Sequence, residues 1–310
     1  MKYQEWLSIW LEQYIAPSCK HKTKEKYESI IRLHIVPHLG EYELDTLTPL
    51  IMQQFVTNLL QYGNLRTGKG MVPNSVNAVI TVIQNSLRTA YNLGFVSDYV
   101  ADKIKRPKII EREIDIFSRE EQKKIEETVL KSKKTKYIGI FLALYSGVRI
   151  GELLALEWKD LNFSTGELSI TKTCHDSVGK DGKYIRITNS PKTPTSKRII
   201  PLPREVMVYM KNEKKKSSSK YIVGDGSKII SVRSYQRTFE LLLKRLNIKH
   251  RGFHSLRHTF ATRALECGMD VKTLSEILGH KSPTITLNKY AHSMPEHKKE
   301  MMNLLWKSMK

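Results

Sequence analysis

The stretch KYIGIFLALYSGVRIGELLALEWKDL, residues 136 to 161, restricts the fold more than any other part of the chain. It reads as a mostly apolar helix that is interrupted near Gly147 and then carries an arginine, Arg149, among leucines. A helix with so little polar surface has to be enclosed by other elements, so a domain must be built around it. The same surroundings would bury Arg149. A buried guanidinium is costly unless it is paired, so Arg149 should meet either Glu152, three residues on, or an anion.

At 310 residues the chain is long enough for two domains with separate cores. Residues 3 to 94 read as helices, YQEWLSIWLEQYI, TKEKYESIIRLHIVPHLG, TPLIMQQFVTNLLQYG and PNSVNAVITVIQNSLRTAYNLG, each with apolar residues at three-and-four spacing. Thr48-Pro49 has the form of an N-cap followed by proline at the first helical position, and Gly40, Gly63 and Gly94 fall where helices end. This predicts an all-helical domain over residues 1–100. ADKIKRPKIIEREIDIF, residues 101–117, breaks the periodicity with a proline and a dense run of both charges and reads as a linker. The second domain, 118–310, opens with a capping box, Ser118 to Glu121. GELSITKT, KYIRITNS and KRIIPLP are short, β-branched and partly alternating, and predict a buried hairpin and its neighbour around the turn-rich DSVGKDGK. Helices resume from REVMVYMKN, and a tail helix from about residue 294 places Met302, Leu305, Trp306 and Met309 on one face. The expected fold is mainly α with a small antiparallel β-sheet.

Fifty-two Lys and Arg against 31 Asp and Glu give a formal net charge of +21, which implies a polyanionic partner. Nucleic acid fits better than anionic lipid, because no segment is a basic amphipathic helix with an aromatic apolar face. The charge is uneven: residues 1 to 110 hold 13 cations against 9 acids, which leaves 39 against 22, or +17, for the remainder. Cys19, Cys174 and Cys267 form no CxxC pair, so neither a disulfide framework nor a cysteine-rich zinc site is supported. No uncharged apolar run is long enough for a membrane span. The expected location is a reducing, cytoplasmic one with no membrane.

Four further features bear on chemistry. In HSLRHTF, His254 and Arg257 are three residues apart and share a helical face, so two donors point together. His254 and His258 are four apart, a metal-like spacing, but no glutamate follows the first histidine as in HExxH and no third ligand is evident, so no metal is expected. LSEILGHKSPTITLNKYAH has the form of a helix, a glycine turn and a second helix from Ser282-Pro283, as in a helix-turn-helix reader. Its Tyr290 is on that basis a packed ring, a phosphate contact or a nucleophile. Lys192, in SPKTPTSKRIIPLP, precedes a strand.

Taken in order, these features resemble the tyrosine recombinases, the phage-integrase family of site-specific DNA recombinases. SGVRIGELLALEW is similar to the family's first arginine motif, with Arg149 as catalytic arginine and Glu152 as its acidic neighbour. PKTPTSKRIIPLP is similar to its hairpin lysine segment, with Lys192 as catalytic lysine and Lys197 as the fallback. HSLRHTFAT supplies the His-x-x-Arg motif through His254 and Arg257, LGH places His280 at the second histidine position, and NKYAH places Tyr290 at the nucleophile. The resemblance covers nearly the whole chain and implies a helical, SAM-like core-DNA-binding domain plus an α+β catalytic domain, closing on DNA as a C-shaped clamp. It implies site-specific cleavage and rejoining of duplex DNA at recombination core sites, for integration or excision of a mobile element, with no cofactor or metal. The partners it implies are double-stranded DNA, a homotetramer formed on DNA through the tail, and an excision factor or host DNA-bending protein.

The chemistry needs these residue types. Phosphoryl transfer places an attacking oxygen in line with a leaving oxygen while charge builds on the non-bridging oxygens. Two arginines offer planar forks of donors to that phosphate, and His280 adds another hydrogen bond. A tyrosine hydroxyl has a pKa of about 10, so Tyr290 needs its proton removed, for which His254 is the expected acceptor, while the resemblance assigns protonation of the leaving 5′ oxygen to Lys192. Two other classes stand beside this reading. A non-catalytic DNA-binding regulator has no need for Arg149, His254, Arg257, His280 and Tyr290 to converge, and a type IB topoisomerase-like enzyme shares the chemistry without site specificity.

Overall fold

The computed structural model describes residues 1–109, 114–132, 134–178, 184–189, 197–225, 228–290, 302, 303, 305–307 and 309. The chain divides into two compact units, Met1–Arg112 and Glu113–Lys310, with the division inside the segment read as a linker.

The first unit is helical. Helix α1 (Tyr3–Trp10) passes through a π turn, Leu11–Ile15, into α2 (Ala16–Ser18), and α3 (His21–Ile30) passes through Ile31–Ile35 into α4 (Val36–Leu39). Each π turn is followed by a proline, Pro17 or Pro37. Proline has no N–H for the preceding turn and its ring clashes with the carbonyl there, so the wider turn accommodates it without ending the helix. Helices α5 (Pro49–Tyr62) and α6 (Pro73–Asn92) complete the unit, and Thr48 caps α5 by accepting from the Ile51 N–H at 3.3 Å. The apolar stripe of α6, Val76, Val79, Ile80, Ile83 and Leu87, is buried against Trp6 and Trp10 of α1 and Phe55 of α5 in one core. Tyr3 and Trp6 anchor α1 to α6 through Ser86, by a hydroxyl pair at 2.8 Å and an indole N–H to the carbonyl at 3.0 Å.

The second unit is built around α8 (Ile138–Ser146), which lies between α7 (Arg119–Leu130) and α9 (Ile150–Ala155) in sequence and is buried on every side. The Ser118–Glu121 capping box opens α7 as expected, with hydrogen bonds of 3.2 and 2.9 Å. A three-stranded antiparallel sheet, in the order β1 (Leu161–Asn162), β2 (Glu167–Ile170), β5 (Arg198–Pro201), packs its inward residues Leu161, Leu168, Ile170 and Ile200 into the same core. Strands β3 (Thr173–Val178) and β4 (Tyr184–Asn189) form a separate hairpin. The expectation of a buried hairpin therefore needs correction: β4 is largely exposed, with Ile185 facing solvent. Its alternation came without a second layer to cover it, and β2 with β5 supplies the buried pair instead.

Helix α10 (Arg204–Lys216), the two-residue strands β6 (Gly224–Asp225) and β7 (Lys228–Ile229), and helices α11 (Val232–Arg245), α12 (His254–Glu266), α13 (Val271–Leu278) and α14 (Pro283–Tyr290) follow. Helices α12, α13 and α14 enclose a small second core of Ala261, Leu265, Leu274, Leu278 and Tyr290. In the tail the side chains of Met302, Leu305, Trp306 and Met309 are exposed. No helix among the described residues is long and apolar enough to cross a membrane.

Candidate active site

The break at Gly147 creates the site. Gly147 ends α8 in the left-handed region at φ 61°, which a residue with a Cβ adopts at a cost, and a Cβ there would stand 2.6 Å from the Phe260 ring. The chain turns at this point, so Arg149 becomes the residue that precedes α9, with its guanidinium outside the helix. Glu152 accepts from the Arg149 backbone N–H at 3.0 Å and from its Nη1 at 2.8 Å. The local ion pair is therefore formed, yet the Arg149 side chain keeps 36% of its surface exposed.

A second arginine, which sequence reasoning passed over, explains how Glu152 can serve Arg149 without neutralising the site. Arg198, at the start of β5, donates to both carboxylate oxygens of Glu152, at 3.2 and 2.9 Å, and its Nε donates to the Ile277 carbonyl. Only 5% of its side chain is exposed. Burial alone would raise the Glu152 carboxyl, but the Arg198 hydrogen bond and the charges of Arg198 and Arg149 outweigh it and hold the group below its ordinary value. The signal was the alternation of KRIIP: residue 198 shares the inward face with buried Ile200, while Ile199 points out. Lys197, the fallback lysine, is exposed, and Lys192 lies outside the described residues.

The last turn of α13 brings the arginines together. Gly279, left-handed at φ 62°, ends that helix and lets the His280 N–H reach back to the Ser275 carbonyl at 3.0 Å. The final carbonyls are left without helical partners, and arginines supply them. Arg257 Nη2 donates to Leu278 O at 2.7 Å, Arg149 Nη1 donates to the same oxygen at 3.3 Å, and Arg149 Nη2 donates to Gly279 O at 3.3 Å. Arg257 Nη1 also donates to Gly147 O at 2.9 Å, tying α12 to the α8–α9 break. Arg257 is 1% exposed, and burial, with the Arg149 charge beside it, pushes it down to about 9, still far enough above neutrality for the group to be charged. Each guanidinium has five donors, so both arginines retain N–H groups beyond these contacts. Arg149 and Arg198 bond the Glu152 carboxylate and Arg257 lies near enough to feel its charge, so among the described residues three guanidinium groups stand around one carboxylate and leave the cluster cationic.

His280 stands at the start of the turn into α14, where its Nδ1 pairs with the Thr286 hydroxyl at 2.7 Å. Its Nε2 has no hydrogen-bond partner among the described residues. Burial, then Arg257 and Arg149, push the ring down to about 3, so it is uncharged at neutral pH. Tyr290, the last residue of α14, is 1% exposed. Burial raises its hydroxyl above the ordinary value, and Arg257 and Arg149 lie close enough for their charges to oppose that rise.

The hydroxyl does not meet His254, the expected proton acceptor. It pairs with His258 Nδ1 at 2.7 Å, while His254 sits exposed at the start of α12, makes no hydrogen bond among the described residues, and packs edge-on against His258 with ring centroids 4.5 Å apart. Helical geometry explains the exchange: both rings are on one face, but the later one is a full turn deeper toward the second core. Thus Arg149, Arg257, His280 and Tyr290 are brought together with Glu152, and His254 lies at the rim. No three His, Cys, Asp or Glu side chains among the described residues come together in a way that could hold a metal ion.

Comparisons with known proteins give the family and the fold. The family model for the phage integrase family matches residues 116–297, and that for the phage integrase N-terminal SAM-like domain matches residues 2–60. The chain is 32% identical to a tyrosine recombinase XerC-like protein of Caldanaerobacter subterraneus subsp. tengcongensis, covering 96% of this chain and 81% of that protein. It is 25% identical to the ICEBs1 integrase of Bacillus subtilis, over 94% of this chain and 80% of that one. Among solved structures, the Tn1549 transposon integrase in complex with transposon right end DNA aligns with a TM-score of 0.81 at 21% identity, over 98% of this chain and 99% of that chain. A lambda integrase dimer bound to a COC' core site aligns with a TM-score of 0.71 at 20% identity, over 96% and 98%. At these identities the two structures speak to the fold alone: helical units with small antiparallel sheets.

Proposed function

The chain belongs to the phage integrase family of tyrosine recombinases, and from that membership we propose how its own residues cleave and rejoin DNA. Tyr290 is the nucleophile. Its oxygen attacks the scissile phosphorus, forms a 3′-phosphotyrosyl bond and releases a 5′ hydroxyl; a second strand's 5′ hydroxyl reverses the step, so the phosphodiester energy is kept without ATP. Arg149 and Arg257 hold the non-bridging oxygens with the donors they retain, and His280 offers Nε2 to the same phosphate. Glu152 and Arg198 support Arg149 from behind. Lys192 protonates the leaving oxygen, and His254, exposed beside the site, contacts the DNA and takes part in proton transfer there.

One observation carries the reading: two arginines from different elements share the Leu278 carbonyl, and their charges act on the Tyr290 hydroxyl. A structural ring would need neither. Residues 1–100 are proposed as the core-DNA-binding domain, 101–117 as the linker and 118–310 as the catalytic domain. The protein is proposed to act in the cytoplasm as a tetramer on paired sites of a mobile element, with the tail from about residue 294 docking on a neighbouring protomer and with an excision factor or DNA-bending protein as accessory. A lambda integrase tetramer bound to a Holliday junction, 21% identical over 92% of this chain, supports that assembly by fold.

The test uses a nicked suicide duplex whose core sequence has been selected from a randomised pool by binding to the wild-type protein. Wild type forms a covalent adduct on it. Tyr290→Phe binds with unchanged affinity and forms none; an adduct from that variant would sink the nucleophile assignment.

A further inference from the structure

Among the described residues the Tyr290 hydroxyl has a hydrogen-bond partner to which none of the family motifs quoted above gives a part. His258 lies on α12 directly after Arg257 and one turn beyond His254. Its Nδ1 is 2.7 Å from the Tyr290 hydroxyl, and the two rings are 5.7 Å apart, inclined at 56°. The contact joins α12 to the end of α14, two elements separated in sequence by α13 and its glycine turn. It also places the oxygen beside the helix that carries Arg257.

We propose that His258 is a positioning residue for the nucleophile, accepting the Tyr290 hydroxyl's hydrogen bond at Nδ1 and so fixing that oxygen on the Arg257 side of the site. This rests on Tyr290 being the nucleophile. A phenol oxygen moves whenever its ring or its helix end shifts, and a misplacement of the attacking atom by about 1 Å is enough to cost on the order of 100-fold in rate. A second tether, from the helix that already holds the phosphate-binding arginine, removes that freedom. The ring is suited to accept rather than donate. Burial, with Lys289 on α14 and Arg257 on α12, holds it down at about 4, so at neutral pH it is uncharged, and its Nε2–H tautomer carries the lone pair on Nδ1, facing the phenol.

The experiment compares adduct formation on the selected suicide duplex by the full-length wild type, His258→Phe and His258→Asn. Phenylalanine keeps the volume of the ring without the acceptor; asparagine puts a carbonyl oxygen near the place of Nδ1 but cannot titrate in this range. The expected result is that His258→Phe slows adduct formation by about tenfold or more at unchanged DNA affinity, and that His258→Asn recovers most of the rate. A wild-type rate in His258→Phe overturns the proposal, and so does an Asn variant as slow as the Phe variant. If His258→Phe fails to fold, the bond is read in otherwise intact protein with 15N-labelled histidine: Tyr290→Phe should shift the His258 Nδ1 resonance, and no shift overturns the proposal. An adduct formed by Tyr290→Phe is a separate outcome, which defeats the nucleophile reading whatever His258 does.

Discussion

At the scale of single residues, the site is an electrostatic arrangement in which one carboxylate bonds two guanidinium groups and stands near a third. Glu152 and Arg198 are almost fully buried and paired. Removing one partner of such a pair leaves the other as an uncompensated buried charge, so Glu152→Ala should lower unfolding stability by about 3 to 5 kcal/mol, read by urea denaturation. A loss under about 1 kcal/mol would mean that water reaches Arg198 freely. Arg149→Ala and Arg257→Ala should each abolish adduct formation with only modest loss of DNA affinity, since many other cations meet the backbone; equal losses of binding and cleavage would favour a structural role. The placing of Arg149, Arg257, His280 and Tyr290 together was legible in the sequence, because they sit in motifs of fixed spacing, whereas the expected pairing of His254 with Tyr290 is not what the structure shows. Arg198 and His258 were not legible. Each stands beside a residue that drew the attention, Lys197 and Arg257, and only the inward face of β5 and the depth of α12 separate them from their neighbours.

At the scale of elements, two glycine-terminated helices do the assembling. Gly147 turns Arg149 outward, and Gly279 leaves the α13 carbonyls for the arginines to cap. Gly147→Ala should therefore cost about 1 to 2 kcal/mol for the left-handed backbone, more once the Phe260 clash is added, and should slow cleavage as well because Arg149 moves with it. Parallel urea denaturation and adduct assays would check this; a variant that is destabilised but cleaves normally would separate the break from the chemistry. The interruption near Gly147 and the capped start of α7 could be read in advance, since glycine and a serine-to-glutamate box act locally. The exposure of β4 could not, because alternation predicts a strand but not whether a second layer covers it.

At the scale of the molecule, net charge and half-buried histidines set the response to solvent. With a formal charge of +21, DNA affinity should fall linearly in log–log form with salt, by roughly 1,000-fold or more between 50 and 200 mM if six or more phosphates are met. A salt-insensitive affinity would contradict backbone contact. His258 and His280 are held at about 4 and about 3 by burial and neighbouring cations, against an unfolded value of about 6.5. Below about pH 6.5 the unfolded chain therefore takes up protons that the folded rings refuse, and stability falls as the pH drops toward those values. The Glu152 carboxylate, held low, adds a contribution that is present above its ordinary pKa and lost at still lower pH. The melting temperature should be lower at pH 5 than at pH 7, and the difference should shrink when His258 and His280 are both replaced by glutamine.

The most direct measurement of the central claim is the covalent link itself. Wild-type protein is trapped on the selected suicide duplex, digested with protease and nuclease, and the peptide that retains nucleotide mass is sequenced. The account predicts a single modified residue, Tyr290, joined to the 3′ phosphate of the cleaved strand. A link to any other residue, or to a 5′ phosphate, would contradict it.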